Sequence, residues 1–499
     1  MSGRMPVGIV GAGAMGAGIA QVAATAGHPV LLLDNRPGAA AAAVASVGEM
    51  LAKLAAKGKL APEAAAAARG RLRAVGGLAD LAPAGLVIEA IVEDLAAKRE
   101  LFAALEGMVA PGCLLATNTS SLAIPAIAAA LRAPQRLAGM HFFNPAPLME
   151  LVEIVGGVAS APDVLDQLAA LARAWGKAPV RARSTPGFIV NRVARPFYAE
   201  GLRLLAEQAT DPATLDAVMR EAGGFRMGPC ELTDLIGQDV NFAVTRSVFE
   251  GFFGDPRFTP SLLQQELVAA GWLGRKRGRG FYLYGEGAPP PAPQTEPLAP
   301  VPERVAVAGE DAVAQALADR LQRGGVEVVR SPHLPTDIVL RASDGRTAAE
   351  LEASAEHLQP TVVVDLALDY ATATRLAVAF SPHCHQASRA TAIGALQAAG
   401  FAVSILRDLP GLAVLRTVAM LINEAADALH YGIASAADVD LAMRKGVNYP
   451  LGPLEWADGL GIARVQAALV HLAAFYGEDR YRVSPRIRQL AWRGGRFHE

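Results

Sequence analysis

The chain has 499 residues, with 46 Lys and Arg against 48 Asp and Glu and a formal net charge of −2. That length predicts several domains, and the near-neutral charge leaves no footprint for nucleic acid or an anionic membrane surface. The three cysteines, Cys113, Cys230 and Cys384, are scattered and odd in number, which argues against a disulfide framework or a Cys-x-x-Cys metal site and points to a reducing, cytoplasmic setting. No apolar run reads as long enough to cross a bilayer, and glycines interrupt the first one too early for a signal-peptide core.

Residues 6–10 form a short apolar run that ends in Gly11-Ala12-Gly13-Ala14-Met15-Gly16. An alanine-rich helical stretch follows to about Ala26, and a second apolar run, Pro29 to Leu33, closes on Asp34. Strand, turn, helix, strand is the resulting order. Further strands are predicted at Leu86–Glu89, Leu114–Thr117, Leu137–Phe143 and Leu151–Val155, so residues 1–183 read as a Rossmann-type, doubly wound parallel sheet. Residues 184–284 read as a helical domain, and 285–303, with Pro289-Pro290-Pro291, as a semi-rigid linker. Strands are again predicted at Arg304–Ala308, Val326–Arg330, Asp337–Arg341 and Thr361–Asp365 in an α/β domain over 304–407, followed by a second helical domain over 408–499.

The two halves repeat each other. Thr185 to Arg192 aligns with Leu409 to Arg416, Leu215 to Arg220 with Val439 to Arg444, and Met227 to Leu232 with Leu451 to Trp456. The copies differ in chemistry. Ala308-Gly309-Glu310-Asp311 stands where the first half has its glycine loop. Aligning Pro382 with Pro145 sets Val378 against His141 and Ser381 against Asn144, while Leu415 faces Asn191. The second α/β domain therefore reads as degenerate and its half as structural.

Gly11, Gly13 and Gly16 have the spacing of a dinucleotide cradle: a tight turn, a close approach to pyrophosphate, and close helix–strand packing. Asp34 ends the next strand at the distance of a ribose contact and would repel a 2′-phosphate, which favours NAD; Arg36 beside it keeps NADP as a second reading. A histidine near a strand end, His141, has the pKa range to accept a proton from an alcohol as hydride leaves its carbon. A carboxylate on its other ring nitrogen would orient it, and Glu153 or Glu150 could serve. Asn118 to Ser121 follow a strand, with Ser120 read as touching substrate and Ser121 or Thr119 as a helix cap. Glu89 or Glu93 could reach the cofactor. Lys53, Lys57 and Lys59 are either a solvated face or a clamp for a phosphorylated carrier arm. His383-Cys384-His385 is no metal site on this reading, because neighbours on a strand point to opposite faces.

The glycine loop continuing to Ala20, Ile88 to Glu93, Asn118 to Ser121, His141 to Pro147, and Thr185 to Arg192 together resemble the L-3-hydroxyacyl-CoA dehydrogenase family. The resemblance spans residues 5–284, and 408–499 resembles a second copy of the family's C-terminal domain. It implies NAD as cofactor, an acyl-CoA substrate, and hydride transfer from C3 of a 3-hydroxyacyl thioester. It implies His141 as general base, Glu153 as its partner, and Ser120 and Asn191 on the reacting oxygen. It also implies cofactor contacts from Met15, Glu93, Lys98, Asn144 and Lys276, and coenzyme A contacts from Lys57 and Lys53. Gly224 to Pro229 and Asp239 to Phe242 resemble the long, duplicated enzymes of phenylacetate breakdown, which implies 3-hydroxyadipyl-CoA or 3-hydroxybutyryl-CoA. In the family, helical domains pair between subunits. The second copy is expected to pair with the first inside one chain, as a pseudo-dimer that could itself form a homodimer. Two rival readings stand beside this one: a sugar-acid NAD dehydrogenase on the same scaffold, and a non-catalytic protein that binds NAD or acyl-CoA.

Overall fold

Apolar segments that end in glycine or a polar residue form the strands of the first sheet. A computed structural model describes residues 4–330, 338–355 and 359–498. The strands are β1 (Val7–Val10), β2 (Val30–Leu33), β3 (Leu72–Ala74), β4 (Leu86–Glu89), β5 (Leu114–Thr117), β6 (Leu137–Phe142), β7 (Leu151–Gly156) and β8 (Ala178–Arg183). Their order is β3-β2-β1-β4-β5-β6-β7-β8. The chain reverses direction across the sheet between β1 and β4, the switch point at which open α/β sheets bind ligands. β1, β4 and β5 are buried throughout, as a sheet covered on both faces requires.

The sheet is not wholly parallel. β6 and β7 run antiparallel, because the eight residues between them are too few for a crossover helix. β3 and β8 escaped the sequence reading. β3 has only three residues, and β8 alternates buried Val180 and Ala182 with exposed Arg181 and Arg183, as an edge strand does.

Contacts divide the chain into two compact units, Met1–Arg192 with Tyr431–Val447, and Val193–His430 with Asn448–Glu499. These units cut across the divisions read from sequence, since part of the second helical copy belongs to the first unit. There the Ala436–Gly446 helix packs on β7 and β8, and Arg183 donates its amide to the Ile433 carbonyl at 2.8 Å.

The second unit holds a six-stranded sheet made of β9 (Arg304–Ala308), β10 (Glu327–Val329), β11 (Val339–Ala342), β12 (Thr361–Val364), β13 (Arg375–Phe380) and β14 (Ala402–Ile405). Its order is β10-β9-β11-β12-β13-β14, with β12 and β13 antiparallel. Asp337, at the head of one strand predicted from sequence, lies outside the described residues. The matching helix of the first copy, Pro212–Glu221, packs on β13 in this unit. Arg407 donates its amide to the Ala209 carbonyl at 2.9 Å, the counterpart of the Arg183–Ile433 bond. The Arg195–Ala206 helix packs along its own copy, Val414–His430. Arg416, completely buried, bonds Glu200 through Nε at 2.7 Å and Glu207 through Nη1 at 2.9 Å. Residues 285–303 form no helix or strand but are pinned: Gln294 donates to Thr214 Oγ1 and Glu296 to the Val403 carbonyl, each at 2.8 Å.

The duplication extends to backbone strain. Phe188 and Leu412 have φ of 47° and 48° at equivalent places in their turns, a left-handed conformation that non-glycine residues seldom adopt. The register also corrects the alignment drawn through Pro382. Val378 belongs to β13, the counterpart of β7, and Ser381 follows that strand, so neither stands at the place of His141 or Asn144. Asp365 occupies the histidine's place: its amide bonds the Ala377 carbonyl at 2.9 Å, and Ala377 pairs with Ser404 as Glu153 pairs with Val180. The Asp365 carboxylate accepts the amides of Ala413 and Val414 at 2.9 and 2.8 Å. At that place a carboxylate holds the turn where the first half has an imidazole.

Among the described residues one unbent helix, Ala39–Ala56, is long and apolar enough to cross a membrane by length and composition alone. Alanine supplies most of that apolarity, and the helix packs on β2, β3 and its neighbouring helices.

Candidate active site

At the carboxyl edge of the first sheet, β1 runs into Gly11 and the Ala14–Thr25 helix. A Cβ on Gly11, whose φ is 104°, would lie 2.3 Å from the Ala90 carbonyl oxygen, and one on Gly16 would lie 1.8 Å from the Gly11 oxygen. The protein's own backbone demands glycine at both. Gly13 is different: a Cβ there would meet nothing within 4 Å. The space beside Gly13, at a helix N-terminus, fits a phosphate-bearing cofactor whose pyrophosphate approaches the backbone closely. Half-buried Met15, in the first turn of that helix, packs against the core.

Asp34, after β2, faces the same cleft, which has a volume of about 620 Å³ and is lined also by Val10, Arg36, Leu78, Ile91 and Leu101. Its carboxylate accepts the Ala12 amide at 2.7 Å and Arg36 Nε at 2.9 Å. The Arg36 guanidinium, with the Ala12 amide, outweighs partial burial and holds the Asp34 pKa at about 2. Arg36 is thus turned onto Asp34. We expect Gly13→Ala to leave thermal unfolding unchanged or slightly higher, since its φ of −72° suits any residue, while NADH titration shows weakened binding. Gly16→Ala, by contrast, should lower the unfolding temperature sharply, because the clash is with backbone.

Glu89, fully buried at the end of β4, accepts Lys98 Nζ at 2.6 Å, the Ile91 amide at 2.7 Å and Thr117 Oγ1 at 2.6 Å. Lys98 is 1 % exposed and also lies 3.2 Å from Glu93. Its ammonium is therefore spent on two carboxylates inside the protein, and it reaches the site through Glu93. Glu93 in turn accepts the hydroxyls of Thr119 and Ser121 at 2.6 and 2.9 Å and the amides of Ser120 and Ser121 at 3.0 Å. Burial raises its pKa, but the Thr119 hydroxyl and the Lys98 charge outweigh that and lower it overall. Neither Thr119 nor Ser121 caps a helix. The N-cap of Ile124–Ala128 is Ala123, and Thr119 Oγ1 instead accepts the Leu122 amide at 3.0 Å, which shapes the loop that presents Ser120. Asn118 accepts the Phe142 amide at 2.8 Å and ties the ends of β5 and β6.

His141 and Glu153 are directly opposite each other in the β6–β7 register. His141 Nδ1 lies 2.7 Å from Glu153 Oε2, with His141 5 % and Glu153 0 % exposed. Glu153 Oε1 accepts the amides of Ile189 and Val190 at 3.0 and 2.9 Å. One carboxylate therefore orients the imidazole and holds the turn that carries Asn191 in the next residue. Phe143 and Phe188 pack on the imidazole, with ring centroids 4.6 and 5.9 Å away. Glu150, the other carboxylate within reach in sequence, is exposed and pairs with Lys445 at 2.6 Å. With Nδ1–H donated to a carboxylate, Nε2 carries the lone pair, the arrangement of a general base. Asn144 is exposed just past β6.

Lys53 and Lys57 are exposed at the end of the Ala39–Ala56 helix. A second cleft, of about 670 Å³, lies beside that end, and Lys59, Met50, Leu54, Pro147, Trp175 and Lys177 line it. Lys177, which the sequence did not single out, donates to the carbonyls of Ala146 and Met149 at 2.6 and 2.7 Å and braces the loop after His141. Lys276 is in the other compact unit, paired with Asp239 at 2.6 Å.

A family model described as "3-hydroxyacyl-CoA dehydrogenase, NAD binding domain" matches residues 6–185. The model of the corresponding C-terminal domain matches twice, at 187–284 and 411–496. A "3-hydroxybutyryl-CoA dehydrogenase reduced Rossmann-fold domain" matches 340–410. The chain is 46 % identical over 489 residues, 97 % of each chain, to a 3-hydroxyadipyl-CoA dehydrogenase of Escherichia coli. It is 41 % identical over 278 residues, 56 % of this chain and 96 % of the relative, to a probable 3-hydroxybutyryl-CoA dehydrogenase of Bacillus subtilis. The crystal structure of a 3-hydroxybutyryl-CoA dehydrogenase from Escherichia coli K12 is similar with a TM-score of 0.87 at 44 % identity, covering 98 % of each chain.

Proposed function

The chain belongs to the 3-hydroxyacyl-CoA dehydrogenase family, an NAD-dependent enzyme class, and on that premise we propose how its residues divide the work. His141 Nε2 takes the proton from the C3 hydroxyl of a 3-hydroxyacyl-CoA and returns it in the reverse direction. Glu153, bonded to Nδ1, stabilises the imidazolium that forms. Ser120 and Asn191 hold the reacting oxygen. The loop from Gly11 through Gly13 to Gly16 would hold the phosphates of NAD, Asp34 its ribose, and Asn144 with the Glu93-held loop its nicotinamide end, and the cofactor would supply the hydride acceptor. Lys57 and Lys53, joined by Lys59, face the coenzyme A arm. The 2.7 Å bond from His141 to Glu153 beside the glycine cradle carries this reading, because it leaves one free basic nitrogen at the edge where cofactor and substrate meet.

For the acyl group we favour 3-hydroxyadipyl-CoA, the substrate in the name of a relative that covers 97 % of the chain, with 3-hydroxybutyryl-CoA, in the name of the similar crystal structure, as the second choice. Steady-state rates with NADH and NADPH on 3-oxoacyl-CoAs of varied length, one of them carboxylated, test this. A preference for free gulonate or 3-hydroxybutyrate over every thioester would reject it, as would NADH binding without turnover. The cytoplasm is the proposed location, in keeping with three free cysteines, all buried.

The second half, in this reading, stands in for a partner subunit. The reciprocal amide bonds, Arg183 to Ile433 and Arg407 to Ala209, support a pseudo-dimer. So does the Ala436–Gly446 helix on β7, the strand that bears Glu153. Gly446 packs so closely that a Cβ would lie 2.7 Å from Leu151 Cδ2. A chain cut at Gly285 should aggregate, dimerise or lose most of its activity when followed by light scattering and assay. A soluble, monomeric, fully active fragment would refute the idea.

A further inference from the structure

Three buried arginines of the second compact unit are satisfied by acids: Arg257 by Glu424 and Asp427, Arg375 by Glu221, Arg416 by Glu200 and Glu207. Arg195, in the same unit and 5 % exposed, is bonded by no carboxylate among the described residues. Its Nη1 donates to Thr245 Oγ1 at 3.0 Å, Cζ sits 4.7 Å from the centre of the Tyr198 ring, and Nε has no partner. Burial pulls its pKa below the usual arginine value, and Tyr198 and Tyr449 offset this in part. An ion taken out of water without a counter-ion is costly, so an anion brought to this guanidinium recovers energy that the fold alone does not.

Arg195 lines a cavity of about 310 Å³ whose residues all belong to this unit. One face of the Arg195–Ala206 helix runs along it, with Arg195, Tyr198, Leu202 and Arg203 at helical spacing, and Pro260 adds a further apolar wall. Arg203 lies eight residues on, about 12 Å along the helix axis, and its charge is already spent. It bonds Glu478 Oε2 at 2.9 Å and Glu207 Oε1 at 3.0 Å. Glu478, which also lines the cavity, is 3.7 Å from Arg480 as well. The helix face therefore carries an unpaired cation at its start, a satisfied ion cluster two turns on, and apolar side chains between. The first turn of the Leu262–Ala269 helix borders the same space, and its positive end also favours an anion.

We propose that this cavity binds a short aliphatic monocarboxylate, its carboxylate on Arg195 and its tail along Tyr198, Leu202 and Pro260. A carboxylate meets a guanidinium with charge-assisted hydrogen bonds. A six-carbon acid is about 7 Å long, five bonds of about 1.5 Å each, so its methyl end stops short of the Arg203–Glu478 pair. A dicarboxylate of the same length would bury its second charge against apolar walls or bring it toward Glu478, and both are unfavourable. None of these residues is among those assigned to hydride transfer, so the proposal does not depend on that assignment.

Calorimetric titration of hexanoate into the full chain should show one saturable site, with adipate and inorganic phosphate bound at least about tenfold more weakly. Saturating hexanoate should also raise the unfolding temperature, as any ligand of the folded state does. Arg195→Met should weaken hexanoate binding by about 10- to 100-fold, the worth of hydrogen bonds to a charged group, and should remove the rise in unfolding temperature. If Arg195→Met fails to fold, Ala199→Leu decides: it keeps the guanidinium but narrows the apolar stretch between Arg195 and Arg203, and it too should weaken hexanoate. Absence of hexanoate binding to the native chain, or equal binding by native chain and variant, would overturn the proposal. So would adipate or phosphate bound as tightly as hexanoate, which would mark the cavity as a site for free anions.

Discussion

His141→Ala lowers turnover by about 100- to 10,000-fold, the range that a positioned general acid–base group contributes. The physical basis is a single nitrogen. Nδ1 is committed to Glu153 at 2.7 Å, so Nε2 is the basic atom, and alanine supplies no substitute for a proton that must leave as hydride departs from C3. NADH titration should show cofactor binding retained, since Gly11, Gly13 and Asp34 lie in loops after other strands. Some stability is lost as well, because Glu153 Oε2 is left buried without its donor, a penalty of about 1–3 kcal/mol. Turnover near that of the native chain would remove His141 from the mechanism.

Glu153→Gln has an effect of similar size, a fall in turnover of up to about 10,000-fold, by analogy with amide replacement of the carboxylate behind other catalytic histidines. The carboxylate accepts on both oxygens: His141 on one, the amides of Ile189 and Val190 on the other. A glutamine offers one acceptor and one donor. If its NH₂ faces Nδ1, the imidazole must take the opposite tautomer, with its proton on Nε2 and no base toward substrate. If its NH₂ faces the amides, two donors meet donors and the turn that carries Asn191 loosens. The substitution should therefore lower both turnover and the unfolding temperature. A variant with native turnover would show that neither oxygen matters.

Much of the site was legible before any coordinates because local spacing expresses it. A glycine at the first, third and sixth places of a loop between an apolar run and a helix has few uses. Asp34 at the next strand end and His141 near another follow the same edge rule. The choice between Glu150 and Glu153 was not legible, since it turns on β6 and β7 being antiparallel and in one particular register. A parallel crossover would have carried either residue elsewhere. Lys98 was readable as a residue near the cofactor but not as buried between Glu89 and Glu93, because the path of the turn after β4, and not residue spacing, sets its burial. The place of Asp365 was missed because prolines invite alignment, whereas strand register, invisible in one sequence, fixes equivalence.

Sequence by itself determined the duplication, the nucleotide cradle, the alternation of α/β and helical segments, and the loss of chemistry from the second half. Each is written in residues near one another in the chain or repeated along it. The tertiary structure decided which carboxylate meets the histidine, which lysine is spent inside the protein, and that each helical copy covers the sheet of the other half. These depend on strand register and on packing rather than on separation along the chain, and burial sets their energies. A buried charge is defined by what surrounds it, and one sequence does not list its own neighbours.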